Sequence, residues 1–321
     1  MNSIVFRTLA RQTRVSQSFF RMMSSFTPAD GVVTPDWLEQ HLGKVKVLDA
    51  NLYLDPTKSA EKEFSEKRIP TAQYFNIDKI ADTSVPLPHM LSTPEFFKDC
   101  VEKLGISSTD EVVIYDTQGL FSATRALWMF RVFNPNVKTY ILEGGMPRWL
   151  AEGHKLETGP AVVPTRGQFD LEYHKELVRN MDDVLDLVKQ YQKGKIPHTI
   201  IDARPNPRFT GKVGEARPNL FKGHMPGSVN IPFTEITDPQ RNYVFRSKEE
   251  LQDLFKKQNI DLNQKEPLIF SCGSGTTACV DVFAAYLCGR RDLPSCAVYD
   301  GAWAQYASIP LNNPVIDDYK N

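Results

Sequence analysis

The chain has 321 residues, with 38 Lys+Arg against 39 Asp+Glu, a formal net charge of -1, and 41% hydrophobic and 24% charged residues. That balance excludes a wholly disordered or fibrous chain, and it lacks the excess of cations expected of a nucleic-acid binder. No run of about 18 apolar residues occurs, so no spanning helix is expected and neither membrane nor nucleic acid is an expected partner.

Residues 1–25 read as an address. Arg7, Arg11, Arg14 and Arg21 precede the first acidic residue, Asp30, among frequent Ser and Thr. An Arg-rich, Ser-rich, acid-free amphipathic segment is the pattern of a mitochondrial transit peptide, with a disordered basic tail as the alternative. The expected location is the mitochondrial matrix, with a cytoplasmic fraction also allowed, and cleavage is expected around residues 22–26.

Beyond this segment, a β-branched run at 45–49 ends in Asp-Ala, and a helix with a polar start spans 93–104. A strand at 112–115, a helix at 122–133 and a strand at 138–142 follow. The second half repeats the scheme: helix 182–192, strand 199–202, helix 247–257, strand 268–271, helix 276–287 and strand 297–299. The repeat is also one of residues. Val47-Leu48-Asp49-Ala50 resembles Ile200-Ile201-Asp202-Ala203 at an offset of 153. Arg68-Ile69-Pro70 pairs with His224-Met225-Pro226, Val113–Asp116 with Ile269–Cys272, and Leu142–Gly145 with Val298–Gly301, each at 156. A period this long is a duplicated domain, not a solenoid repeat. Strands alternating with helices predict the α/β class: two tandem domains, each a mainly parallel sheet flanked by helices. The expected division is 26–158, a connection at 159–180 holding Pro160, Pro164 and Gly167, then 181–312 and a tail at 313–321.

The informative stretch runs from Leu268 to Cys279. An apolar strand leads into Cys272, then Gly273-Ser274-Gly275-Thr276-Thr277, then a helix. Active sites of open α/β sheets lie at the carboxyl ends of strands, where this cysteine falls. Two glycines allow a tight loop with its N–H groups turned inward. Those donors and the helix start favour negative charge on sulfur, and the thiolate is the nucleophile. Cys100, Cys279, Cys288 and Cys296 read as structural thiols. An odd total of five cysteines with no Cys-x-x-Cys pair implies neither a disulfide framework nor a metal site.

The string Cys272-Gly273-Ser274-Gly275-Thr276-Thr277-Ala278-Cys279 resembles the active loop of the mercaptopyruvate sulfurtransferases. The tandem halves resemble the two-domain rhodanese superfamily over residues 30–310. Supporting motifs are Asp202-Ala203-Arg204, Arg208-Phe209-x-Gly211, Gly223–Asn230 and Tyr299-Asp300-Gly301. The resemblance implies a sulfurtransferase with Cys272 as sulfur carrier, Ser274 beside it, and Gly273, Gly275, Thr276 and Thr277 lining the substrate. It implies that Arg208 and Arg217 hold the carboxylate and carbonyl of a keto acid, while Arg204 reads as a structural ion-pair residue. The donor would be 3-mercaptopyruvate or thiosulfate, and the acceptor thioredoxin, glutathione or cyanide, with no metal or organic cofactor required. Cysteine phosphatases of similar loop need an Arg six residues after the nucleophile, where this chain has Ala278.

Thiosulfate is a dianion, and thiosulfate-type relatives carry Arg and Lys directly after the cysteine, where this chain has Gly273 and Ser274. A neutral loop favours the monoanionic keto acid. The family also places a His with an upstream Asp in the first domain as a proton relay to the loop serine. The position before Ile69-Pro70 is Arg68, with Ser59 near the place of the Asp. Arg68 is then either a stabiliser of enolate charge or a surface residue. The first half carries Asp116 in place of Cys272, and a carboxylate cannot carry sulfur. A thiosulfate-preferring enzyme and a non-catalytic binding module of the same fold are the alternatives.

Overall fold

A computed structural model describes residues 25–195, 199–291 and 295–319. The expected transit segment therefore lies, but for Ser25, outside the described residues. The first unit runs β1 (Val32–Val33), α1 (Pro35–His41), β2 (Lys46–Asp49), α2 (Ala60–Glu66), β3 (Gln73–Tyr74), α3 (Pro94–Lys103), β4 (Glu111–Tyr115), α4 (Ala123–Phe133), β5 (Lys138–Leu142) and α5 (Gly145–Ala151). The second runs β6 (Val178–Arg179), α6 (Met181–Gln192), β7 (Ile200–Asp202), α7 (Asn206–Phe209), β8 (Ser228–Asn230), β9 (Thr237–Asp238), β10 (Val244–Phe245), α8 (Lys248–Lys257), β11 (Leu268–Ser271), α9 (Ala278–Leu287), β12 (Cys296–Tyr299) and α10 (Ala302–Tyr306). Each unit is a five-stranded sheet, ordered β1-β5-β4-β2-β3 in the first and β6-β12-β11-β7-β8 in the second. Every pairing in both sheets is parallel.

The predicted helices start where the polar caps stand. Thr93 accepts from the Phe96 N–H at 3.3 Å, Asn180 from Asp183 at 3.0 Å, and Ser247 from Glu250 at 3.2 Å. Such caps satisfy N–H groups that the first helical turn leaves without partners. The central strands are buried on both faces and read as apolar runs, which made them legible. Edge strands of two residues, such as β1 and β6, carry no periodicity, and β6 falls inside the stretch expected to be a plain connection. There it pairs with β12, Val178 beside Val298.

The helices that follow the two central strands, α4 and α9, pack against each other. Both are buried nearly all round, as a helix sandwiched between two domains must be. One continuous apolar cluster reaches from Phe97, Phe130 and Phe133 to Phe270, Cys279 and Phe283. The two sheets therefore share a core, and each presents the loop at the carboxyl end of its central strand toward the seam.

Candidate active site

β11 delivers Cys272 at its carboxyl end, 2% exposed. The loop 273–277 returns the chain into α9, and α10 secures it from behind. The Trp303 N–H donates to the Cys272 carbonyl at 2.9 Å and the Ala304 N–H to the Gly273 carbonyl at 3.1 Å. Gly275 has φ +76°, and a Cβ there would lie 3.1 Å from the Arg125 guanidinium, so the loop needs glycine for both conformation and space. Ser274, Thr276 and Thr277 are buried beside it, and the Thr276 hydroxyl has no hydrogen-bond partner among the described residues.

Arg208 lies over the loop: a Cβ on Gly273 would meet its guanidinium at 3.0 Å. Its Nε donates to Glu215 Oε1 at 3.2 Å, and its Nη2 makes a closer contact with Oε2. Glu215 also takes Arg204 Nη1 at 2.8 Å. Arg204 is fully buried, forked onto Asp202 and laid over the Trp303 ring at 4.2 Å, a structural role as the sequence suggested. Arg217 is half-buried with no hydrogen bond or ion pair among the described residues. Burial and the neighbouring Arg208 charge weaken its hold on its proton, while Cys272 and Glu215 act the other way. Arg217 is thus a cation with no direct ion pair among the described residues and within electrostatic reach of the thiol, whereas Arg208 is paired with Glu215.

Arg68 is not brought to the loop. It is 3% exposed, pairs with Glu157 Oε2 at 3.4 Å, donates to the Gly159 and Pro160 carbonyls, and lies 5.2 Å from the Phe64 ring. Its partners all belong to the first domain and the connection after it. Arg68 is therefore neither a stabiliser of enolate charge nor a surface residue, the two roles expected of it: it is a buried residue tying the first domain to the connection. Ser59, expected near the relay Asp, caps α2.

A buried His beside an Asp does occur in the first domain, at His89 and Asp78. His89 Nδ1 sits 2.8 Å from Asp78 Oδ1, and the side chain is 7% exposed. The His89 backbone has φ 57°, in the left-handed region, and its carbonyl accepts Arg125 Nη2 at 2.7 Å. Arg125 Nη1 in turn donates to the Gly275 carbonyl at 3.3 Å. Sequence reading missed this pair because the Ile-Pro motif pointed to Arg68. The internal repeat matches Arg68 to His224, a turn residue stacked on Phe209 at 4.0 Å. The available signal was the Pro88-His89-Met90 turn eleven residues after Asp78.

The remaining four cysteines are also free thiols. Burial pushes Cys279 and Cys288 up to about 12 and raises Cys100 and Cys296. A thiol raised in this way is a poorer nucleophile near neutral pH. Asp281, inside α9, is fully buried with both oxygens unpartnered among the described residues, and burial holds it protonated, reinforced by Cys272, Asp202 and Glu235. Among the described residues Asp36, Glu152 and His154 bring potential metal-ligating atoms within 4.8 Å of one another, but none belongs to the Cys272 loop.

A parallel α/β domain written twice, with a cysteine in a glycine loop at a strand end, defines a class, and comparison with known proteins agrees. The Rhodanese-like domain family matches residues 34–152 and again 183–309. The chain belongs to the rhodanese family. It is 37% identical to the 3-mercaptopyruvate sulfurtransferase of Rattus norvegicus, over 86% of this chain and 91% of that protein. It is 36% identical to the mitochondrial thiosulfate/3-mercaptopyruvate sulfurtransferase 1 of Arabidopsis thaliana, over 89% and 78%. The crystal structure of SseA from Escherichia coli, a 3-mercaptopyruvate sulfurtransferase, superposes with a TM-score of 0.73 at 34% identity, over 85% and 98%. Within its family the protein is a sulfurtransferase, an enzyme of the mercaptopyruvate type.

Proposed function

We propose that the protein takes sulfur from 3-mercaptopyruvate onto Cys272 and passes it to a thiol acceptor or cyanide, releasing pyruvate. The observation that carries this is a buried cysteine at the end of β11 in a cation-free loop, with Arg217 nearby and in no direct ion pair among the described residues. The Cys272 thiolate attacks the substrate sulfur. A sulfur–sulfur bond forms as the carbon–sulfur bond breaks, and the electron pair leaves as pyruvate enolate, which takes up a proton at carbon. The acceptor then attacks the outer sulfur of the persulfide, and Cys272 leaves as thiolate, so two half-reactions return the enzyme to its start. Arg217, with Arg208 beside it, fits the carboxylate and carbonyl of the donor, since a guanidinium fork matches a carboxylate. Ser274 hydrogen-bonds the substrate, while Gly273, Gly275, Thr276 and Thr277 shape the space around the outer sulfur. The Asp78–His89 pair is the candidate relay in place of Arg68. Thioredoxin or glutathione are the proposed cellular acceptors, and the mitochondrial matrix, with a cytoplasmic fraction, the proposed site of action.

Thiocyanate formation from cyanide, with 3-mercaptopyruvate and thiosulfate compared as donors and Cys272→Ser as control, tests the reading. Mercaptopyruvate-dependent product that disappears in the variant is expected. A clear preference for thiosulfate would reverse the donor assignment, with Arg217 and Arg208 then serving a dianion. Silence with both donors would make the chain a binding module.

A further inference from the structure

We propose that Arg125, a residue of the first domain, is the positioning cation of the Cys272 loop in the second: it fixes Gly275, Asp300 and His89 in one arrangement and supplies the positive charge that the loop sequence lacks. This rests on the sulfur-transfer reading above. Residues 273–277 contain no cation. Arg125 stands in the first turn of α4, fully buried, and its guanidinium spans the domain seam. Nη2 donates to Asp300 Oδ1 and to the His89 carbonyl, both at 2.7 Å, and Nη1 to the Gly275 carbonyl at 3.3 Å. The guanidinium carbon lies 4.4 Å from the centre of the Trp128 ring. Asp300 is held from the first domain through both oxygens, since Oδ2 accepts the Leu91 N–H at 2.7 Å.

Four groups at the seam are thereby tied to one side chain: the turn of the Cys272 loop, the carboxylate after β12, the left-handed His89 and the start of α4. A buried ion pair is weak evidence for stability, because well-packed apolar residues commonly replace one at no loss. A buried cation beside a group that must carry negative charge is worth far more there than in water. Burial opposes the Arg125 charge, yet Asp300 and the sulfurs of Cys279 and Cys272 more than restore it. The other titratable groups near the Cys272 loop are Arg217, then Arg208 with its Glu215, and Asp281 on α9, whose carboxyl burial raises well above the usual range. Of the cations, Arg125 alone is fully buried and contributed by the other domain. The first domain, which has no thiol in its own loop, thereby takes a direct part in the chemistry.

The test measures the rate of Cys272 alkylation by iodoacetamide against pH, with kcat and KM for 3-mercaptopyruvate, in the full chain and in Arg125→Met and Arg125→Lys. In Arg125→Met the alkylation midpoint should rise by about 1 pH unit. Its kcat should fall about 10-fold or more while KM changes less than about 3-fold, and Arg125→Lys should recover part of both. Because Arg125→Met strands the Asp300 carboxylate, Arg125→Met with Asp300→Asn serves as the folded control, and it should show a smaller rise in midpoint in the same direction with the same loss of kcat. Folded variants with the wild-type midpoint and kcat would overturn the proposal. A shifted midpoint in a protein that transfers no sulfur even as wild type would uphold this inference and overturn the sulfur-transfer reading instead.

Discussion

The two domains place different groups at the same point of the same loop. In the first, Asp116 follows β4; in the second, Cys272 follows β11. Asp116 is wrapped by backbone donors: Gln118 N at 3.0 Å on Oδ1, and Phe121, Ser122 and Ala123 N at 2.7, 2.9 and 3.0 Å on Oδ2. A strand–loop–helix turn of this kind is a nest for an anion. In the first domain the chain fills that nest with its own carboxylate, whereas in the second a sulfur stands at the same point. Access differs as well. The hairpin β9–β10 of the second domain lays Tyr243 against Gly119, where any side chain would overlap the ring. Duplication has left one loop covered by Tyr243 and filled by its own carboxylate, and the other carrying a thiol.

A second pair sharpens the contrast. Asp202 and Asp49 end matching strands, but Arg204 forks onto Asp202 while Asn51 stands where the first domain would need that arginine. Burial therefore raises Asp49 to about 7, with Asp116 and Glu63 adding to it against the Asn51 N–H and the Tyr115 hydroxyl.

The largest effect expected of a substitution that breaks this comparison is on the donor. Arg217→Met should raise KM for 3-mercaptopyruvate about 10- to 100-fold with a smaller change in kcat, because a charge-assisted contact to the carboxylate is lost. Steady-state kinetics checks it, and an unchanged KM would remove Arg217 from the site.

Asp49 makes the next prediction. Its folded value lies above its unfolded one, so its contribution to stability is intact below about 4 and is lost as pH rises through about 7. Melting temperature followed from pH 4 to pH 8 should show that loss, worth up to a few kcal/mol, and Asp49→Asn should flatten it. An Asp49→Asn profile that falls as steeply as wild type would place the penalty elsewhere.

The smallest expected effect is the absence of a rescue. Asp116→Cys in a Cys272→Ser background should remain silent in the thiocyanate assay, since Tyr243 covers the loop and the new thiol has no Arg217 beside it. Measurable turnover from that variant would mean the two loops are interchangeable.

The central strands, the capped helices and the Cys272 loop were legible in the sequence because each has a local cause: an apolar run, a Ser, Thr or Asn cap, a pair of glycines. The two-residue strands β1, β3 and β6 were not, because they gain their partners only from a neighbouring strand far along the chain. The site divides the same way. The place of Cys272 at a strand end follows from local pattern, and Arg208 and Arg217 were proposed from the family resemblance, but Glu215's claim on Arg208 is a tertiary fact. The reading of Arg68 failed for an instructive reason: its motif repeats a structural turn, His224, so similarity between the halves pointed at packing. The role of Arg125 could not be read from its own stretch, since its partners at Gly275 and Asp300 lie in the other domain.

The most direct test of the account is the mass of the protein after incubation with 3-mercaptopyruvate and no acceptor, followed by peptide mapping. One added sulfur, about 32 Da, on the peptide containing Cys272 and removed by cyanide is the predicted result. Turnover without sulfur on Cys272, or sulfur found instead on Cys100, Cys279, Cys288 or Cys296, would contradict it.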